Sequence, residues 1–148
     1  MVANEGHAKR VRFWTTMLVA LFASTAAAEK PRYVEGQVWE YRTRMGDEGS
    51  LLKIQSIESN AAFAAPVYHI SVVGFRFANP RVKPELPHVP VGQATLDASV
   101  TSLSTRSAVF PEFRAGIDEW RAAKGGVFTI SVAEIVDLID KQTVSAGP

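Results

Sequence analysis

The chain has no cysteine among its 148 residues. Disulfides, thiolate nucleophiles, cysteine-ligated zinc and a lipid-anchored leader cysteine are all excluded by that one absence. Long apolar runs are missing too. The longest block, residues 13–23, is eleven residues interrupted by Thr15 and Thr16, whereas a membrane-spanning helix needs about 20 mainly apolar residues. Neither sign of charge dominates, with 16 basic residues against 15 acidic. A basic footprint for nucleic acid is therefore lacking. Histidine is scarce, only three in all. There is no G-x-S-x-G nucleophile elbow and no twin-arginine pair.

What is present begins with a leader-like N-terminus. Lys9, Arg10 and Arg12 precede the apolar block, and Ser24, Thr25 and Ala26–Ala28 follow it, before Glu29 and Lys30. A basic start, a short apolar centre and a small-residue cleavage site are the three parts of a secretory signal. Residues 1–28 are accordingly expected to be a cleaved signal peptide, and residues 29–148 a single globular domain of the periplasm or the exterior, with no stable membrane span after cleavage. Three basic residues and one acidic residue leave with the leader, so the remainder carries 13 basic and 14 acidic side chains. The mature domain is near neutral. Its 120 residues are enough to bury a core without disulfides.

Strand signals come first along that domain. Residues 38–44 alternate, with Trp39, Tyr41 and Thr43 on one side and Glu40, Arg42 and Arg44 on the other. Turn residues 45–50 lead to a second strand at 51–58, where Leu52, Ile54 and Ser56 share a side. Residues 67–77 form the most β-prone stretch and are expected at the centre of a three-stranded sheet, with Gly74 at a bulge or a close backbone approach. Residues 79–90 contain Pro80, Pro84, Pro87 and Pro90 and read as a long, semi-extended surface loop.

Helical signals follow. Leu96, Val100 and Leu103 predict a helix over 92–103. Phe113, Ile117 and Trp120 predict another that is stopped by Gly125 and Gly126. A short strand is expected at 127–130. Ser131 and Glu134 make a capping-box pattern, with Ile135, Leu138 and Ile139 on one side of a final helix running to about Gln142. Strands first and helices later predict an α+β fold, a small antiparallel sheet from the N-terminal half packed on one face by C-terminal helices. Trp39, Tyr41, Phe113 and Trp120 are expected in one aromatic core.

Chemistry is thinly marked. His69 and His88 are the only histidines beyond residue 28. A metal site would need both together with Asp97, Glu85 or Glu112, and no pair has close ligand spacing. No cofactor is implied. Asp118 and Glu119 are neighbours on a helix and point in different directions. Arg42 and Arg44, near Arg76, present a pair of guanidiniums suited to an anionic group or a partner's carboxylates. The proline-rich segment is pre-organised for recognition. The candidate binding residues are thus Arg42, Arg44, Pro87, His88 and Pro90.

Gly36-Gln-Val-Trp-Glu-Tyr-Arg-Thr-Arg44, Asp47 to Ile54, His69-Ile-Ser-Val72, His88-Val-Pro90 and Leu96 to Val100 together resemble a family of small uncharacterised bacterial proteins. The resemblance covers most of residues 36–140. It implies a compact domain and carries no activity, so it transfers no catalytic residue. The expected function is a non-enzymatic binding module of the periplasm, of inhibitor or immunity type, with another protein as partner. A small hydrolase using His69 or His88 with a carboxylate, and an envelope-associated structural module, stand as alternatives.

Overall fold

The computed structural model describes residues 32–60 and 62–145; the expected signal peptide lies outside the described residues. Five strands, β1 (Val38–Tyr41), β2 (Leu51–Glu58), β3 (Val67–Val73), β4 (Glu85–Val91) and β5 (Val100–Leu103), form one antiparallel sheet in the order β4-β3-β2-β1-β5. Three helices, α1 (Gln93–Ser99), α2 (Arg114–Ala122) and α3 (Val132–Ser145), complete the fold. The α+β architecture is as the order of strand and helix signals implies. Among the described residues no helix is long and apolar enough to cross a membrane.

Several local expectations are overridden by tertiary pairing. The segment 92–103 is not one helix. It turns at Ser99, and Val100–Leu103 pairs with β1 as an edge strand, where its β-branched Val100 and Thr101 are well accommodated. The proline-rich segment is not a free loop throughout, because Glu85–Val91 joins β3 as the opposite edge. Proline is tolerated on an edge, where its missing N–H leaves no ladder partner unsatisfied. Residues 127–130 contribute one isolated bridge, Phe128 to Val91. The sheet thus has five strands, not three, and β3 is flanked on both sides.

The edges of a flat five-stranded sheet lie about 19 Å apart. A helix of seven residues spans only about 10 Å, yet α1 joins β4 at one edge to β5 at the other. The sheet is therefore strongly curled, and register shifts on three of its four ladders supply the bends. Gly74 stands at φ +81°, and a side chain there would press on the Ser50 backbone at 3.3 Å, so the close approach expected of it is real.

The concave side holds the apolar core. Trp39, Tyr41, Leu52, Ile54, Tyr68, Ile70, Val72, Val89 and Val91 pack there with Leu96 of α1 and with Val132, Ile135 and Val136 of α3. The capping box forms as expected: Ser131 N–H donates to Glu134 Oε2 at 2.9 Å, and Glu134 N–H to Ser131 Oγ at 3.3 Å. Leu138, expected in the buried stripe, is exposed, and Val136 takes its place. The helices do not share one face, for α2 covers the other side of the sheet, with Gly116 against His88 and Trp120 against His69. The expected single aromatic cluster is consequently two. Trp39 and Tyr41 belong to the apolar core, while Trp120 packs on the opposite face with Phe63.

Candidate functional site

The face under α2 is polar, and two strand irregularities create its centre. Ile54 pairs with Ile70 and Ser56 with His69, so β2 carries one extra residue at Gln55. That bulge puts Ile57 on the core side, against the simple alternation that would place Ser56 there, and turns Glu58 toward α2. On β4, Val89 pairs with Ile70 and Leu86 with Val72. Pro87 and His88 together face the single Ser71. A bulge of this kind re-aims a side chain. Ser71 Oγ holds the bulge by donating to the Pro87 carbonyl at 2.6 Å, and itself accepts from Gln55 Nε2 at 3.0 Å.

Both re-aimed side chains converge on His69, which is fully buried. His69 Nδ1 lies 2.8 Å from His88 Nε2, and His69 Nε2 lies 3.3 Å from Glu58 Oε2. Arg121 of α2 donates to the same Glu58 oxygen from Nε at 3.1 Å and from Nη2 at 2.9 Å. These bonds hold the Glu58 carboxyl below its usual range. The Trp120 ring meets His69 edge-on, with centroids 4.9 Å apart, and donates its own N–H to the Gly126 carbonyl at 2.9 Å.

Proton positions follow from this chain. An ionised carboxylate only accepts, so His69 Nε2 keeps its proton and donates the N–H to Glu58. His69 Nδ1 is then bare and accepts from His88 Nε2–H. His88 Nδ1 is left as a bare acceptor. It has no hydrogen-bond partner among the described residues, and no unpartnered side-chain nitrogen or oxygen there is buried. That nitrogen therefore keeps some contact with solvent, beside Gly116, where an added Cβ would stand 3.1 Å from it. Burial pushes both imidazoles toward the neutral form, His88 down to about 4 with the charge of His69 adding to the effect, and His69 downward against the opposing pull of Glu58.

His88 lines a cleft of about 610 Å³ between β4 and α2, with Pro87, Glu112, Ala115, Glu119 and Trp120 among its walls. Gly116 lets the helix sit this close, for a Cβ there would stand 2.5 Å from His88 Cβ.

The other sequence-derived candidates are placed apart from this cleft. Arg42 donates to the Ala98 carbonyl at 2.7 Å, satisfying the end of α1. Arg44 donates to Asp47 at 2.8 Å, Asp140 at 2.9 Å and the Arg76 carbonyl at 2.7 Å, so its fork is occupied from within. These charges line a larger hollow of about 730 Å³ beside α3, where Arg44 and Arg76 stand among the acids Asp47, Glu134, Asp137 and Asp140. The two arginines do not converge. Pro90 is buried in β4, its carbonyl accepting from Phe128 N–H at 2.9 Å.

Of the carboxylates considered as metal partners, Glu112 lines the cleft beside His88, and the other two are engaged elsewhere. Asp97 accepts from Tyr33 and Arg32, and Glu85 pairs with Lys83. Among the described residues no group of three His, Asp or Glu side chains is placed to hold a metal ion. Ser50 and Lys53 stand at Ser-x-x-Lys spacing, yet Ser50 Oγ is tied to Tyr41 and the Val73 carbonyl, away from both histidines.

Glu58, Arg121, Gly116 and Glu119 are the members of the site that strand and helix patterning passes over. The single local hint is His69 itself, a polar residue between Tyr68 and Ile70 in an otherwise apolar strand. Comparison with protein-family models, with curated proteins and with solved structures finds no match to this chain.

Proposed function

We propose that the chain is an exported, non-enzymatic binding protein that engages a partner protein through the cleft between α2 and β4. The observation that supports this reading is the unpartnered Nδ1 of His88, which the half-buried Glu58 and the buried His69 fix as an acceptor. Pre-set acceptors in a rigid frame lose little entropy on binding. Export rests on residues 1–28, whose basic, apolar and small-residue segments follow the order of a secretory signal.

The test is capture from the envelope fraction with a C-terminally tagged full chain, alongside the His88→Gln variant. The expected result is one stoichiometric partner, retained by the parent and lost by a variant whose thermal unfolding is little changed. Mass spectrometry should place the mature N-terminus at Glu29. A partner held equally by His88→Gln would remove the cleft from the reading, and an intact N-terminus at Met1 would remove export.

One feature favours a second reading. A carboxylate orienting one imidazole that in turn orients another is also the frame of a general base. A small hydrolase acting through His88 would turn over an ester or amide panel, and His88→Gln would abolish that turnover.

A further inference from the structure

The chemistry of the cleft selects the sign of its occupant. Its charged lining consists of Glu112 and Glu119, while its remaining walls are apolar or aromatic apart from His88. The cations on α2 and just beyond it line other hollows. Arg114 and Arg121 line a separate hollow beside Glu35, and Lys124 lies beside Phe63. Glu112 is partly matched by Arg114 at 3.3 Å, whereas Glu119 has no ion-pair partner among the described residues.

His88 Nδ1 requires a donor, because a bare ring nitrogen has no proton to give. A carboxylate or phosphate would meet an acceptor and a like charge. A basic side chain satisfies both demands. Its ammonium or guanidinium donates to His88 Nδ1 and sits near the Glu119 carboxylate, and its methylene stem covers the small residues of α2 and the edge of Trp120.

Resting on the reading of this cleft as the recognition surface, we infer that it receives a lysine or arginine side chain presented by a partner protein. The geometry asks for one cation and one hydrogen-bond donor in the same group, with an apolar stem behind it.

The inference is tested by titrating the full chain with Nα-acetyl-lysine N-methylamide and following the imidazole ¹⁵N resonances. The matching norleucine and glutamate amides and butylammonium serve as separate arms. The lysine amide is expected to shift the His88 Nδ1 resonance saturably, and the norleucine and glutamate amides are expected to leave it in place. Glu119→Gln, on the exposed side of α2, should weaken lysine-amide binding about 2- to 5-fold, the range of one partly exposed ion pair. No saturable shift, or an equal shift with the glutamate amide, overturns the inference. Binding of butylammonium without binding of the lysine amide also overturns it, in favour of a free small amine. If the lysine amide fails while partner capture still depends on His88, the cation assignment falls and the cleft reading stands. Capture indifferent to His88→Gln brings down the cleft reading itself.

Discussion

On β3, Tyr68, Ile70 and Val72 face α1 and α3, while His69 and Ser71 face α2. The two sides of one strand do different work. The concave side is apolar, and each fully buried aliphatic or aromatic side chain there contributes roughly 1.5–3 kcal/mol. The convex side is polar and satisfied by hydrogen bonds, each worth only about 1 kcal/mol net, with no buried side-chain polar atom left unpartnered among the described residues. The first side holds the sheet curled. The second holds a geometry, at little net stability, and that geometry ends in an unshared nitrogen.

This contrast is open to direct attack. The largest effect is expected from Ile70→Ala, which empties a fully buried position on the core side. A loss of about 4 kcal/mol should appear in denaturant unfolding. A loss below about 1 kcal/mol would mean that the concave side is not the main source of stability.

Acidification should strike the other side. The histidines are neutral in the fold, and the unfolded chain takes up their protons near the ordinary value of 6.5. Stability is therefore expected to fall as pH drops below about 6.5, until His88 of the folded protein also protonates near 4. Glu58, whose folded carboxyl titrates below its usual range, adds the same sign at lower pH. The loss should be roughly 2 kcal/mol, after allowance for the solvent that reaches His88. Unfolding measured across this range should show it, and His88→Gln should flatten the curve.

Gly116→Ala sets helix propensity against fit. In an open helix the change gains about 1 kcal/mol. Here the new methyl meets His88 Cβ at 2.5 Å and Cγ at 2.9 Å, so a net loss of about 1–2 kcal/mol is expected, together with a displaced His88 resonance. A stabilised variant would mean that α2 is not pressed on β4.

Ser71→Ala removes the hydroxyl that holds the β4 bulge, one residue from Ile70. It should cost about 1 kcal/mol, clearly less than Ile70→Ala by the same denaturant assay. Glu119→Gln should change stability by less than about 0.5 kcal/mol. Any larger shift in its melting temperature would mean that Glu119 supports the fold and does not simply rim the cleft.

Much of the architecture is legible along the chain. Alternation in residues 38–44, the apolar density of 67–77, the Ser131–Glu134 capping box and the stripe through Ile117 and Trp120 are all local signals; the structure contains the capping box and the stripe, and keeps the two strands in shorter form, as Val38–Tyr41 and Val67–Val73. Two of the misreadings share one cause. Val100–Leu103 completes a helical spacing, and Pro87 and Pro90 are poor ladder residues, yet both segments are strands because β1 and β3 offer them hydrogen-bond partners. Long-range pairing outweighed local preference at the two edges of the sheet, where propensity is weakest.

The candidate site was less accessible, for a related reason. Pro87 and His88 were marked by composition, but Arg42 and Arg44, marked by alternation, serve α1 and α3. Glu58 reached His69 through a bulge at Gln55, and His88 reached it through a bulge at Pro87. A one-residue slip reverses the side to which a strand residue points, and the position of a bulge is set by the strand opposite, many residues away. The amino-acid order by itself determined the fold class, the cysteine-free core and most of the strands and helices, since these follow from composition and from periods of 2 and 3.6 residues. Only the tertiary structure decided the curl of the sheet, the opposite placement of α2 and α3, and the meeting of Glu58, His69 and His88, because register and bulge are properties of paired strands and not of either strand alone.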